Sequence, residues 1–256
     1  MKKNFRIKNN EKILKSGVVT YISLSLCFVF WELAVYLSDV SSIVIIKPSE
    51  IYPTLFENSA IFLVELGFTF KEVVVGWMIG NLAGLAVAII IFGFKLVSKM
   101  IVGLAVMVNA VPLIALSAII SGFMGTGPAS KIFIVAIVCF FPMLITALTS
   151  FAAIGRDFIS LFDTFAAKPY TKFLLLILPS AMPQLMVSLK VSFIIAVSTA
   201  IVSEFFGAHG GIGQFILARK GFYDLPMVWG AIFYIILFSA LGYFFLSVVQ
   251  KKLFNW

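Results

Sequence analysis

The sequence predicts an all-α membrane protein, a polytopic bundle of about six transmembrane helices with both termini in the cytoplasm. Three observations predict it. Of the 256 residues, 62% are hydrophobic and only 12% charged, with a mean hydropathy of +1.12, too little charge to cover a soluble domain. Apolar runs recur at lengths near the ~20 residues that cross a bilayer core. The basic residues lie between these runs and not on one soluble face, so the net charge of +8 reads as a topology signal and not as a nucleic-acid surface.

Taken in order, residues 1–16 form a basic tail and 17–37 the first span, too long for a signal-peptide core and without a small-residue cleavage site. A polar segment with Asp39, Lys47, Pro48, Glu50, Pro53 and Glu57 follows, then a short amphipathic stretch over 59–70. Further spans are expected near 73–93, 100–122, 132–150, 184–206 and 227–249, with a polar cytoplasmic loop at 151–180. Residues 17–256 thus read as a single transmembrane domain. Six spans place 13 of the 19 Lys and Arg residues on the side of the termini and five on the other, with Lys190 inside a span. That bias puts the termini and the 151–180 loop in the cytoplasm.

Cys27 and Cys139 both fall in apolar runs, which argues against a disulfide framework, and the lone His209 has no neighbour with which to hold a metal. Gly76, Gly80, Gly84 and Ala88 repeat every fourth residue on one helical face, an interface for a pore-forming core or for ordinary helix packing. A second stripe, Ser188, Ser192, Ala196 and Ala200, ends at Glu204, which either lines a pathway or holds a structural hydrogen bond. Lys190 can snorkel to the cytoplasmic surface, and Glu32 has no obvious partner. Pro112, with Asn109 one turn before it, is expected to kink the third span toward a cavity. The glycines at 207, 210, 211 and 213, and Gly125-Thr126-Gly127 with Ser130-Lys131, fail the spacing of a phosphate loop and read as turns.

Within the loop, Phe165, Ala166, Ala167, Lys168, Pro169 and Tyr170 precede Lys172 and Leu178-Pro179. Pro169 suits the first turn of a helix. The segment reads as two short helical pieces joined by a turn, a docking surface for a soluble partner.

In order along the chain, Lys47-Pro48-Ser49 with Pro53, Thr69, Gly76, Gly80, Gly84, Pro112, Gly125-Thr126-Gly127, Ser130-Lys131 and Phe140-Phe141-Pro142 form one set with Leu178-Pro179, Ala181, Pro183, Leu189-Lys190, Glu204 and Gly211-Ile212-Gly213. This set, over about 50–215, resembles the permeases of the nitrate/sulfonate/taurine group of ABC importers. The resemblance implies a type I importer permease fold in a bacterial inner membrane. It also implies a second permease subunit completing a homodimer, a cytoplasmic ABC ATPase dimer and an extracytoplasmic solute-binding protein. ATP and Mg would sit on the ATPase, with no cofactor, metal or nucleic acid bound by this chain.

Such permeases dock on the ATPase through a Glu-Ala-Ala motif with a Gly six places after the Glu, then a Leu-Pro. Counted back from Leu178-Pro179, the Glu place is Ser160, the Ala-Ala places Leu161 and Phe162, and the Gly place Ala166. Only the Leu-Pro end matches. The docking loop implied in this way comprises Ser160, Phe162, Asp163 and 165–170.

The rival reading is a self-sufficient secondary carrier or channel, which calls for an inverted repeat and a charged midplane site. No repeat is visible, and Glu32 is the only acid expected well within a span. A membrane-embedded enzyme would need clustered nucleophiles or paired carboxylates. The substrate is not encoded in any motif above.

Overall fold

A computed structural model describes residues 23, 25–38 and 46–253; the basic tail, part of the predicted first span and residues 39–45 lie outside the described residues. Eleven α-helices are described: α1 (Ser25–Ser38), α2 (Pro48–Glu57), α3 (Ser59–Ile91), α4 (Lys95–Asn109), α5 (Leu113–Met124), α6 (Pro128–Ala152), α7 (Arg156–Thr164), α8 (Pro169–Lys172), α9 (Leu178–Glu204), α10 (Ile212–Gly221) and α11 (Leu225–Leu253). Among the described residues, four stretches are long and apolar enough to cross a bilayer, and the bent pair of α4 and α5 makes a fifth.

Three boundaries differ from the sequence expectation, each for a local reason. The amphipathic stretch over 59–70 is continuous with the second span, giving one 33-residue helix, α3. Its polar residues Glu65, Thr69 and Glu72 fall on one face, so the helix carries them without a break. The third span, expected whole over 100–122, is broken: α4 and α5 meet at 88°, with Pro112 capping α5. Proline has no N–H to continue the ladder and pushes the residue before it out of helical geometry. The fifth span starts at Pro169, not 184, and runs to Glu204 as one stretch of 36 residues, which shortens the loop expected over 151–180. The expected start of this span at 184 lies beyond Pro179 and Pro183. A π-helical stretch over Phe173–Ile177 joins α8 to α9 just before them, and such local adjustments let membrane helices absorb missing donors.

The chain divides into two compact units. In the first, residues 1–60 with 219–230, Glu32 finds a partner the sequence did not disclose: its carboxylate accepts from the Ser49 amide at 3.0 Å and the Ser49 hydroxyl at 2.7 Å. It therefore caps the N-terminus of α2, where free amides and the helix dipole favour negative charge. Trp31 packs on Trp229 with ring centroids 4.8 Å apart, and Lys47 lies 5.3 Å over the Tyr36 ring.

In the second unit, residues 61–218 with 231–256, α3, α6 and α9 share a dry core of Val73, Val135, Cys139, Ala196 and Ala200. The small-residue row of α3 makes it possible. A Cβ at Gly76 would overlap Val135, one at Gly80 the Ala136 carbonyl, and one at Gly84 the Phe140 carbonyl. Missing side chains thus let α3 approach the backbone of α6. Gly242 of α11 does the same for the Phe193 ring of α9.

Candidate functional site

Three constructions stand out in the second unit: a buried polar cluster at one end, a cavity beside the helix break, and the loop at the other end. On the predicted topology the first lies outside and the last in the cytoplasm.

The polar cluster is built from α3, α6, α9 and the start of α10. Glu204, the last residue of α9, is fully buried. Its Oε1 accepts from the Thr69 hydroxyl at 2.6 Å and its Oε2 from the Gly213 amide at 2.5 Å. The Thr69 oxygen in turn accepts from the Ile212 amide at 2.9 Å, and Glu65 accepts from the Gly211 amide at 2.9 Å. The loop 205–211 is therefore stitched back onto α3 through backbone amides that open α10. Gly211 has φ +113, and a Cβ there would overlap the Glu204 carboxyl, so the turn requires glycine.

Glu72 and Lys131 complete the cluster. The Glu72 carboxyl faces that of Glu204, and the Lys131 ammonium lies within electrostatic reach of both. Lys131 is fully buried and donates to Ser121 Oγ at 3.0 Å and to the Phe206 carbonyl at 3.4 Å, tying α5, α6 and the 205–211 loop together. In a low-dielectric site every member of such a network needs partners, and here Glu72 Oε2 is buried with no hydrogen-bond partner among the described residues.

The sequence expectation ended the second span's polar approach at 59–70 and named Lys131 only beside Ser130, without joining Glu65, Glu72 and Lys131 into one cluster. The signal was available: continuing the Gly84-Gly80-Gly76 row toward the N-terminus meets Glu72, then Thr69 and Glu65. Glu32 is thus not the only acid within a span-forming helix.

The α9 stripe packs against neighbouring helices. Ser192 accepts from Trp77 Nε1 at 3.0 Å and lies 3.1 Å from Asn81 Oδ1, a polar knot between α3 and α9. Ala196 is fully buried, and the buried Ser188 hydroxyl has no partner among the described residues. Lys190 donates to Gln250 Oε1 at 2.7 Å and sits over the Tyr243 ring.

A cavity of about 660 Å³ opens where the third span breaks. Asn109, Val111 and Leu113 line it from the break, Gly80 from α3, Phe133, Phe140 and Phe141 from α6, and Ile195 from α9. Asn109, one of the predicted pathway residues, lines this cavity, and Pro112 shapes the break itself.

At the other end, α7 closes with a tight turn. The Ala166 amide donates to the Asp163 carbonyl at 2.9 Å and the Ala167 amide to the Phe162 carbonyl at 3.1 Å, while Ala166 takes φ +49. This paired pattern is the turn that usually ends a helix on glycine. The α7–α8 hairpin is pinned by an ion pair between Lys172 and Asp163. Pro169 opens α8, and Lys168 precedes it in extended geometry. Phe165 and Tyr170 are more than two-thirds exposed, with Phe158 and Leu161 beside them in sequence also exposed. The Ser160 backbone carbonyl accepts from the Thr164 hydroxyl at 3.0 Å.

Residues 80–255 match the family described as binding-protein-dependent transport system inner membrane component. The chain belongs to that family. This inner membrane component is the permease subunit of an ABC importer, a multi-pass protein that works with a separate ATPase and other subunits. It is 26% identical over 203 residues to the formylaminopyrimidine transport permease protein ThiX of Halalkalibacterium halodurans, covering 79% of this chain and 81% of that protein. With the putative aliphatic sulfonates transport permease protein SsuC of Bacillus subtilis it shares 24% over 229 residues, 88% of this chain and 83% of the relative. Its fold matches a chain of the inward-facing MetNI methionine ABC transporter with a TM-score of 0.70 at 14% identity, covering 78% of this chain and 99% of that one. An amino acid ABC transporter solved with histidines matches with a TM-score of 0.62 at 16% identity, covering 78% of the permease and 97% of the matched chain.

Proposed function

We propose that this permease provides an alternating-access route for a small solute handed over by an extracytoplasmic binding protein, with the 156–172 hairpin as the contact to a cytoplasmic ATPase dimer. The observation that carries the docking part is the hairpin itself. Its backbone is fixed by two capping hydrogen bonds and an ion pair, yet it exposes Phe165 and Tyr170. Rigid presentation of aromatic side chains to water is costly for a mere connector and favourable for an interface.

Ala166 occupies the place that the related motif gives to glycine, and the positive φ found there is the physical reason for that preference. The fold element is therefore retained although the motif letters are not. ATP and Mg belong to the partner, and this chain supplies no covalent chemistry. A second copy of the permease completes the route. The cavity beside the break lies between α3, α5 and α6, so movement of the hairpin reaches it through α6 and α9, the two helices that flank the loop.

The test is an affinity pull-down of the tagged permease in mild detergent with mass spectrometry of what co-purifies. A nucleotide-binding subunit is expected, and it should be lost when residues 166–170 are replaced by Gly and Ser. Retention of the ATPase by that variant would contradict docking through the hairpin.

A further inference from the structure

We propose that Phe92, Phe151 and Phe173 form an aromatic joint that passes movement of the 156–172 hairpin to the corner between α3 and α4. Phe92 is thereby a positioning residue for transport, a role that rests on reading the hairpin as the ATPase contact. The three residues come from separate places in the chain. Phe151 is the next-to-last residue of α6, Phe173 directly follows α8, and Phe92 directly follows α3.

Their rings meet one another. Phe151 and Phe173 lie edge-on with centroids 5.4 Å apart, Phe92 and Phe151 edge-on at 5.3 Å, and Phe92 and Phe173 tilted at 6.2 Å. All three fall in the ~4.5–7 Å range of attractive aromatic pairs. Phe151 is buried and the other two are half-buried, at the edge of a core that includes Ala88, Ala147 and Ala181. Phe151 precedes the hairpin and Phe173 follows it, so their contact closes the hairpin at its base. The Lys172–Asp163 ion pair ties the two legs above that base. Base and legs therefore move as one piece.

Phe173 also opens the π-helical stretch Phe173–Ile177. A π turn takes up one residue more than an α turn, and each residue rotates an α-helix by about 100°. The hairpin root is thus set at a different angle about the axis of α9 from the one a continuous α-helix would give it. In that setting Phe173 meets Phe151 and Phe92. Phe92 is the receiving side. Its amide donates to the Ala88 carbonyl at 3.0 Å, so it still belongs to the last turn of α3. Across the corner the Ser98 hydroxyl donates to the Ile91 carbonyl at 2.8 Å, which ties α4 to that turn. The far end of α4 is the break where the cavity opens. Close-packed side chains yield little under load, so displacement of the hairpin has a packed route to the break beside the covalent ones through α6 and α9.

The test uses the assembled complex in vesicles, with Cys27 replaced by serine and Phe133→Cys as a reporter in the cavity wall. Labelling by a membrane-impermeant maleimide is compared at rest and after trapping with ATP and vanadate. The amount of co-purifying ATPase and its turnover are measured alongside. Phe92→Ala should keep ATPase binding and turnover at the wild-type level and lose the nucleotide-dependent change in labelling. Phe92→Tyr, which keeps the ring, should retain that change. So should Phe70→Ala, which removes a different aromatic contact of α3, the one with Phe238.

If Phe92→Ala yields no folded complex, Phe92→Leu keeps much of the apolar volume without the ring and carries the same expectation. A wild-type response in these variants would overturn the joint while the docking reading stood. Equal loss in Phe70→Ala would overturn it too, since any loosening of α3 would then suffice. Loss of the ATPase from the Phe92→Ala complex would assign the ring to the shape of the hairpin and not to transmission. A wild-type complex without any nucleotide response would overturn the docking and route reading, and the joint with it.

Discussion

Removing the Glu204 carboxylate would strand the Thr69 hydroxyl and the Gly213 amide, two donors in a site sealed from water. Glu204→Ala is expected to destabilise the permease by about 3 kcal/mol, since unpaired buried donors cost more than the average hydrogen bond is worth. Thr69→Val removes one donor and the acceptor for Ile212, and should cost about 1–3 kcal/mol. Thermal melts in detergent read both. If Glu204→Ala melted with the wild type, the outer cluster would not be the staple described. The opposite sign is expected at Ala166: Ala166→Gly relieves a left-handed residue and should stabilise the hairpin by about 1 kcal/mol while keeping the ATPase in the pull-down. A lower melting point would contradict the capping geometry.

Among the elements, α3 and α6 depend on glycine for their separation. Gly80→Val would drive a side chain into the Ala136 carbonyl and the Cys139 Cβ. Overpacking there should cost about 2–3 kcal/mol and reduce the yield of monodisperse protein on size exclusion. A change without effect would mean that the row is not in contact. The existence of this interface was legible, because four-residue spacing of small residues is a backbone-level pattern. So were most spans and the hairpin at Pro169. The break at 110–112 was legible only as a kink, since proline marks the place but tertiary packing sets the angle. The continuous helix through Pro179 and Pro183 was not legible, because its π-helical adjustment is set by neighbouring helices and not by residue type. The same holds for Glu32: its partner Ser49 lies on another helix, and no spacing rule joins them. The meeting of Glu72 with Lys131 was not legible either, because they lie on different helices and no spacing rule joins them.

For the whole molecule, the proposed function makes the buried polar cluster, the cavity and the hairpin one chain of cause. Partner closure on the hairpin would act through α6 and α9, and both helices end in the buried cluster with Lys131 and Glu204. A switch of this kind needs two packed arrangements and not a gradual bend. Cysteine accessibility tests it most directly. With Cys27 replaced by serine and buried Cys139 left in place, Phe133→Cys is labelled by a membrane-impermeant maleimide from either face of vesicles holding the assembled complex. Labelling should come from one face at rest and from the opposite face once ATP and vanadate trap the ATPase. Equal access from both faces at once, or access indifferent to nucleotide, would contradict an ATP-driven route through this cavity.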